Sequence, residues 1–143
     1  MRLRHYPAVR ALWEASPGVG LSEADSRANI AAYLKRNPRM SFVARVGGQI
    51  IGAVLCGHDG RRGYLHHLAV ASRYRRRGVG GRLVAACLAE LAKAGIQKCN
   101  IFIYSHNDQG EAFWKHNGWA KREDLRLMQK PIQLARKKLR QKH

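Results

Sequence analysis

The chain has 143 residues, 45% of them hydrophobic, and 27 Lys and Arg against 9 Asp and Glu, a formal charge of +18. That length suits one compact domain, and the spread of Val, Ile, Leu and Trp excludes a disordered basic tail. No apolar run approaches the roughly 18 to 20 residues of a membrane span and no signal-peptide core opens the chain, so a soluble, cytoplasmic protein is expected.

In chain order, Pro7 to Ala15 carries Val9, Leu12 and Trp13 at helical spacing, with Pro in the first turn. Ser16 to Gly20 reads as a loop. Ser22 followed by Asp25 resembles a capping box and predicts a helix running to about Asn37, where Pro38 stops it. Two β-rich runs, 41–46 and 49–56, are joined by Gly47-Gly48, a two-residue hairpin signal. After a turn at 59–63, Tyr64 to Val70 reads as a third strand. Apolar positions 79, 83, 84, 87, 88 and 91 then predict a helix over 79–94, closed by Gly95. A strand over 99–104 and a helix over 108–117 follow, the helix capped by Asn107 and ended by Gly118. Short strands at 119–120 and 125–129 are expected to finish the sheet. Residues 1–130 are read as one domain. Residues 131–143, with five basic residues and no acid, are read as a basic extension, solvated rather than a binding element.

The three cysteines, Cys56, Cys87 and Cys99, form no C-x-x-C pair and lie in apolar stretches, which argues for small buried hydrophobes and against a disulfide framework or a metal site. Eighteen of the basic residues are Arg. A polyanionic partner would account for such an excess, and so would a genome-wide bias towards Arg codons. Charge alone does not decide.

The positions of the glycines are more informative. Arg75-Arg-Arg-Gly78-Val-Gly80-Gly81 follows a strand and opens a helix. Such a junction presents unpaired backbone N–H groups at the positive end of a helix dipole, and glycine lets a phosphate approach them closely. The nucleotide P-loop pattern is absent, and the dinucleotide pattern fails at its third glycine, where Leu83 stands. What fits is Arg-x-x-Gly-x-Gly at 75–80 behind the strand Leu65-His-His-Leu-Ala-Val70.

With this motif the sequence resembles the GNAT acyltransferases, whose hallmark is [Gln/Arg]-x-x-Gly-x-[Gly/Ala] after a hydrophobic strand. A second segment, Asn107…Ala112-Phe113-Trp114-x-x-x-Gly118-Trp119, is similar to that family's Asn…Ala-x-x-Tyr-x-x-x-Gly-Phe. The resemblance covers roughly residues 7 to 130, and Gly57 to Gly63 is similar to a bacterial subgroup of small, mostly uncharacterised members. It implies an α/β (α+β) fold: a mixed, strongly twisted central sheet splayed between two parallel strands, with helices on both faces. The family's first strand is expected to be missing, shortened or lost to a late start, since only Met1 to Arg4 stand before the first helix with its Pro7.

The resemblance also implies acetyl-CoA (coenzyme A) as cofactor and transfer of its acetyl group to a primary amine. At the matching positions, backbone groups of Leu68, Ala69 and Val70 would hold pantetheine, with the Leu68 amide polarising the thioester carbonyl. The amides of Arg76, Arg77, Gly78, Val79, Gly80 and Gly81 would cradle the pyrophosphate, with Arg75, Arg76, Arg77 and Arg82 adding charge-assisted bonds. Asn107 would contact the pantetheine side. Period-2 alternation puts Tyr64, His66, Leu68 and Val70 on one face and Leu65, His67 and Ala69 on the other. His66 is the candidate general base, because an imidazole pKa near 6.5 suits proton removal at neutral pH. His67 reads as packing. Trp114 stands where relatives carry a Tyr that serves the departing thiolate, and indole is no proton source. Tyr104 or water would then supply the proton, or none is needed, and Trp114 packs near the cofactor sulfur.

The acceptor, a small molecule or a peptide amine, would meet the loop at 16–22 and the segment at 121–125, where Glu23, Asp25, Glu123 and Asp124 could attract it. Solvated surface carboxylates are the plainer reading of each. A monomer or homodimer is expected. The alternative is a catalytically weak RNA- or ribosome-associated basic module of the same fold; no helix-turn-helix, RNP-type aromatic pair or zinc-finger spacing favours it.

Overall fold

The computed structural model describes residues 1–135; residues 136–143, which carry most of the expected basic extension, lie outside the described residues. Pro7 opens α1 (Tyr6–Glu14), which buries Val9 and Trp13, one turn apart, completely. No strand precedes it; residues 3–5 form a 3-10 turn.

The capping box at Ser22 forms as read: its hydroxyl accepts from the Ala24 N–H, and the Asp25 carboxylate accepts from the Ser22 N–H at 3.0 Å. It caps only a 3-10 turn, Glu23–Asp25, and the continuous helix expected from Ser22 is interrupted. Ser26, extended at ψ 156°, takes the Asn29 N–H on its own hydroxyl and starts α2 (Arg27–Arg36) afresh.

Four strands follow in the order β1 (Phe42–Val46), β2 (Gln49–His58), β3 (Gly63–Val70) and β4 (Cys99–Ile101). The pairs β1/β2 and β2/β3 are antiparallel and β3/β4 is parallel. Between β3 and β4 runs α3 (Val79–Lys93), and after β4 comes α4 (Asp108–His116). Helices cover both faces of β2. Ala53 and Leu55 meet α1 and α2, together with Ala69; Val54 and Cys56 meet α3, through Leu83, Val84, Cys87 and Leu91. The continuous apolar run of β2 is what a strand buried on both sides requires.

Cys56 and Cys87 are buried and Cys99 half-buried, all as free thiols. The neighbouring Cys56 thiol and burial push Cys87 up, and burial pushes Cys99 up to about 12, so neither is a ready thiolate. Among the described residues no helix is long and apolar enough to cross a membrane.

Two sequence expectations fail at the far edge. β4 ends at Ile101 rather than at residue 104, and no strand forms at 119–120 or 125–129. Leu125 and Leu127 alternate as a strand would, yet they stay 60% and 64% exposed: alternation without an adjacent edge to pair with makes no ladder.

Trp13 is the largest side chain with no exposure at all, at the centre of the cluster that joins α1 and α2 to the sheet. Trp13→Ala is expected to lower the unfolding free energy by about 3–5 kcal/mol, read by urea denaturation.

Candidate active site

The parallel strands part soon after they meet. Gly63, Tyr64 and Leu65 pair with Cys99, Asn100 and Ile101, after which β4 stops and β3 continues to Val70. Among the described residues, 66–70 of β3 therefore have no strand on that side, which leaves a gap for an extended ligand.

Within the same stretch β3 carries a bulge. Between the pairs Leu55↔His66 and Ala53↔Ala69, β2 spends one residue, Val54, where β3 spends two, His67 and Leu68. His67 takes a left-handed φ of +53° to accommodate the extra residue. The expected alternation is thereby corrected from His67 onward. His66 and His67 both turn to the α1/α2 side: the His66 ring meets Tyr33 of α2 edge-on at 6.4 Å, and the His67 ring meets Trp13 of α1 at 5.0 Å. Leu68 and Val70 join the α3-side core and Ala69 the opposite one. So His66 does not share a face with Leu68 and Val70.

His67 is more than packing. Its Nε2 lies 2.8 Å from the Oδ1 of Asp25, a carboxylate only 5% exposed. Asp25 is accordingly unavailable to an acceptor. Asp124 is tied to Arg122 at 2.8–2.9 Å, and that guanidinium holds its carboxyl down to about 2.

His66 occupies an aromatic setting. Its ring lies nearly parallel to Tyr64 (6.3 Å) and Phe102 (6.2 Å). Burial, then the neighbouring His67, lowers its pKa below the ordinary imidazole value. The imidazole is thus neutral at pH 7 and able to accept a proton. Beside it opens a pocket of about 200 Å³, lined by Tyr33, Tyr64 and His66 with Arg36 and Asp59 at the rim.

The glycine-rich turn lies between the end of β3 and α3. Arg75 Nε–H donates to the Val70 carbonyl at 3.1 Å, tying the turn to the strand. Arg76 (φ +63°) and Gly78 (φ +79°) both take left-handed conformations, and Gly78 caps α3 with no side chain. The first amide of α3 to find a backbone carbonyl is that of Arg82, which donates to Gly78. Among the described residues the N–H groups from Arg76 to Gly81 have no such acceptor, which leaves them to an anion at the positive end of the helix dipole. Arg73 and Arg77 stack on Tyr74 at 5.6 and 5.5 Å, and Arg73, Arg75, Arg76, Arg77 and Arg82 are all exposed.

Gly80 serves a packing role as well. A Cβ on it would lie 3.1 Å from the Phe113 ring, so α4 docks on the first turn of α3 through this glycine. Phe113, adjacent to the singled-out Trp114, was not identified from sequence; its place inside the quoted α4 segment was the available signal. Trp114 itself packs edge-on between Phe113 (5.1 Å) and Trp119 (4.9 Å). Asn107 spends its Oδ1 on the Gly110 N–H at 2.9 Å as the cap of α4, with its Nδ2 against Gly18. The Tyr104 hydroxyl packs on Gly20 and its ring on His106. Sequence reading also missed Tyr33 and Phe102, which reach His66 from other elements.

An open α/β sheet with a parallel pair parting beside a glycine-rich helix terminus is a fold shared with solved acetyltransferases. Ard1 from Thermoplasma volcanium matches with a TM-score of 0.74 at 21% identity, over 84% of this chain and 79% of that one. The aminoglycoside N-acetyltransferase AAC(6')-Iy in complex with CoA matches with a TM-score of 0.72 at 20% identity, over 92% of each chain. In sequence, the profile of the acetyltransferase (GNAT) family matches residues 6–119, and the chain belongs to that family. An acetyltransferase of Sodalis glossinidius is 32% identical over 84 residues, which span 59% of this chain and 59% of that relative's length. One of Photorhabdus laumondii is 31% identical over 107 residues, 72% of this chain and 71% of its own.

Proposed function

We propose that the protein is an acetyl-CoA-dependent N-acetyltransferase, with catalysis assigned to residues 1–130. The observation that carries this reading is the gap beside β3 leading to the unpaired amides of residues 76–81. The fit is steric as well as electrostatic: Gly78 has no atom within 4 Å of where a Cβ would stand, so the approach to those amides is open. When bound, acetyl-CoA supplies an activated acetyl thioester.

The amides of Arg76 to Gly81 hold the pyrophosphate, with Arg75, Arg76, Arg77 and Arg82 adding positive charge. Backbone groups of Leu68, Ala69 and Val70 would hold the pantetheine arm in the gap, with Asn107 and Trp114 beside it, and the Leu68 N–H would bond the thioester oxygen as charge develops there. His66 accepts the proton of the attacking amine from the α2 side, directly or through one water. Attack by the amine nitrogen would form the new bond to the acetyl carbon as the C–S bond breaks, the sulfur leaving with its electron pair and the amine proton passing to His66. A coenzyme thiol of pKa about 8.5 leaves acceptably as thiolate, so proton delivery by Tyr104 or water adds little; Tyr104→Phe is expected to lower kcat by no more than about threefold in a thiol-release assay.

Tyr33, Tyr64 and His66 line the pocket with their rings, and Arg36 and Asp59 bring one charge of each sign. An amine with an apolar or aromatic body suits this pocket; a polycation does not, against a chain charge of +18. Mass-spectrometric screening of arylalkylamines, peptide amines and aminoglycosides tests this. Acetylation of the first two groups is expected, and a preference for aminoglycosides would overturn the acceptor assignment.

A further inference from the structure

The bulge in β3 is held by a side-chain clamp built from α1 and the turn before α2. The Trp13 indole N–H donates to the His67 carbonyl at 3.1 Å, and the indole edge rests on the His67 imidazole. The imidazole Nε2 meets Asp25 Oδ1 at 2.8 Å, where an acceptor-only carboxylate requires the nitrogen to carry the proton. Asp25 is itself fixed: its Oδ2 accepts from the Ser22 N–H at 3.0 Å, and its backbone carbonyl accepts from the Tyr6 hydroxyl at 2.6 Å and from Arg10 at 3.3 Å. The bonds therefore close a ring from α1 through Asp25 and His67 back to α1.

The His67 carbonyl and the Leu68 N–H belong to one peptide plane. In a trans peptide these two bonds point in opposite directions, and no peptide bond here is cis. Pinning the carbonyl towards α1 thus aims the Leu68 N–H away from α1. Left to itself, a histidine at φ +53° would escape this conformation, which non-glycine residues rarely adopt.

We propose that Trp13, His67 and Asp25 are positioning residues that lock the His67–Leu68 peptide plane and so preset the Leu68 amide for the thioester carbonyl. None of the three touches the acetyl group. This rests on the reading that the Leu68 N–H bonds that carbonyl, and the test separates the two.

Acetyl-CoA labelled with 13C at the carbonyl is bound to the wild-type protein and to Trp13→Phe and Asp25→Asn, and the thioester stretch is recorded by isotope-edited infrared spectroscopy without acceptor. A preset amide lowers the wild-type frequency relative to free acetyl-CoA. In both variants the band returns towards the free position, kcat falls at least about tenfold, and the acetyl-CoA dissociation constant stays within about threefold. Trp13→Phe keeps the ring and leaves the Asp25–His67 bond in place, so it retains the test if Asp25→Asn folds poorly. A band that stays at the wild-type position in the folded variants overturns the clamp while leaving the Leu68 assignment intact. A wild-type band with no displacement overturns both.

Discussion

Gly78→Glu is expected to weaken acetyl-CoA binding at least about 100-fold while leaving the protein folded. No atom lies within 4 Å of where its Cβ would stand, so the side chain has room. The local cost is the left-handed φ of +79°, which an L-residue adopts at about 1 kcal/mol. The binding cost is far larger, because a carboxylate then sits among the amides and arginines meant for a phosphate, competing for them and repelling the incoming anion. Gly80→Glu is expected to abolish binding too, by a different route. Its Cβ would stand 3.1 Å from the Phe113 ring, which must give way by a few tenths of an ångström and loosen α4 on α3, so its melting temperature also falls. Titration calorimetry with thermal melts distinguishes the two. Retained affinity in Gly78→Glu would put the phosphates somewhere else.

The second large effect concerns His66. His66→Ala is expected to lower kcat about 10²- to 10³-fold with the acetyl-CoA dissociation constant changed less than about threefold. Its pH dependence follows from burial, which disfavours the imidazolium and moves the pKa below 6.5. A base must be neutral to accept a proton, so activity holds as pH falls from 7 towards the ordinary histidine value and drops only below the lowered pKa. The variant loses that acid limb. A pH–rate profile unchanged by the substitution would remove His66 from the role.

Much of this arrangement is legible in the sequence because its causes are local. The Gly47-Gly48 hairpin, the Asn107 cap and the helix that begins at Val79 each follow from residues within one turn. The glycine-rich turn is legible for the same reason. What sequence periodicity could not supply is the bulge at His67. Its causes are Trp13, 54 residues away, and Asp25, 42 residues away, and a period-2 pattern carries no trace of either. That one extra residue sends His66 and Leu68 to opposite faces. The interruption at Ser26 was missed because the first cap, at Ser22, looked sufficient for a whole helix. The short strands expected at 119–120 and 125–129 have no neighbouring edge to pair with, which depends on where β4 stops and not on their own residues.

The charge excess also gains structure. Of the arginines around the turn, Arg75 ties it to Val70 and Arg77 stacks on Tyr74 along with Arg73, so part of the positive charge braces the turn's conformation. Arg76 and Arg82 remain exposed at the helix terminus, where a phosphate would arrive.

Calorimetric titration of the wild-type protein with acetyl-CoA is expected to show saturable one-site binding with a dissociation constant below about 100 µM, within the usual range for a cosubstrate. Absence of binding up to about millimolar acetyl-CoA, a standard free energy weaker than about −4 kcal/mol, would contradict the acetyl-CoA-dependent reading.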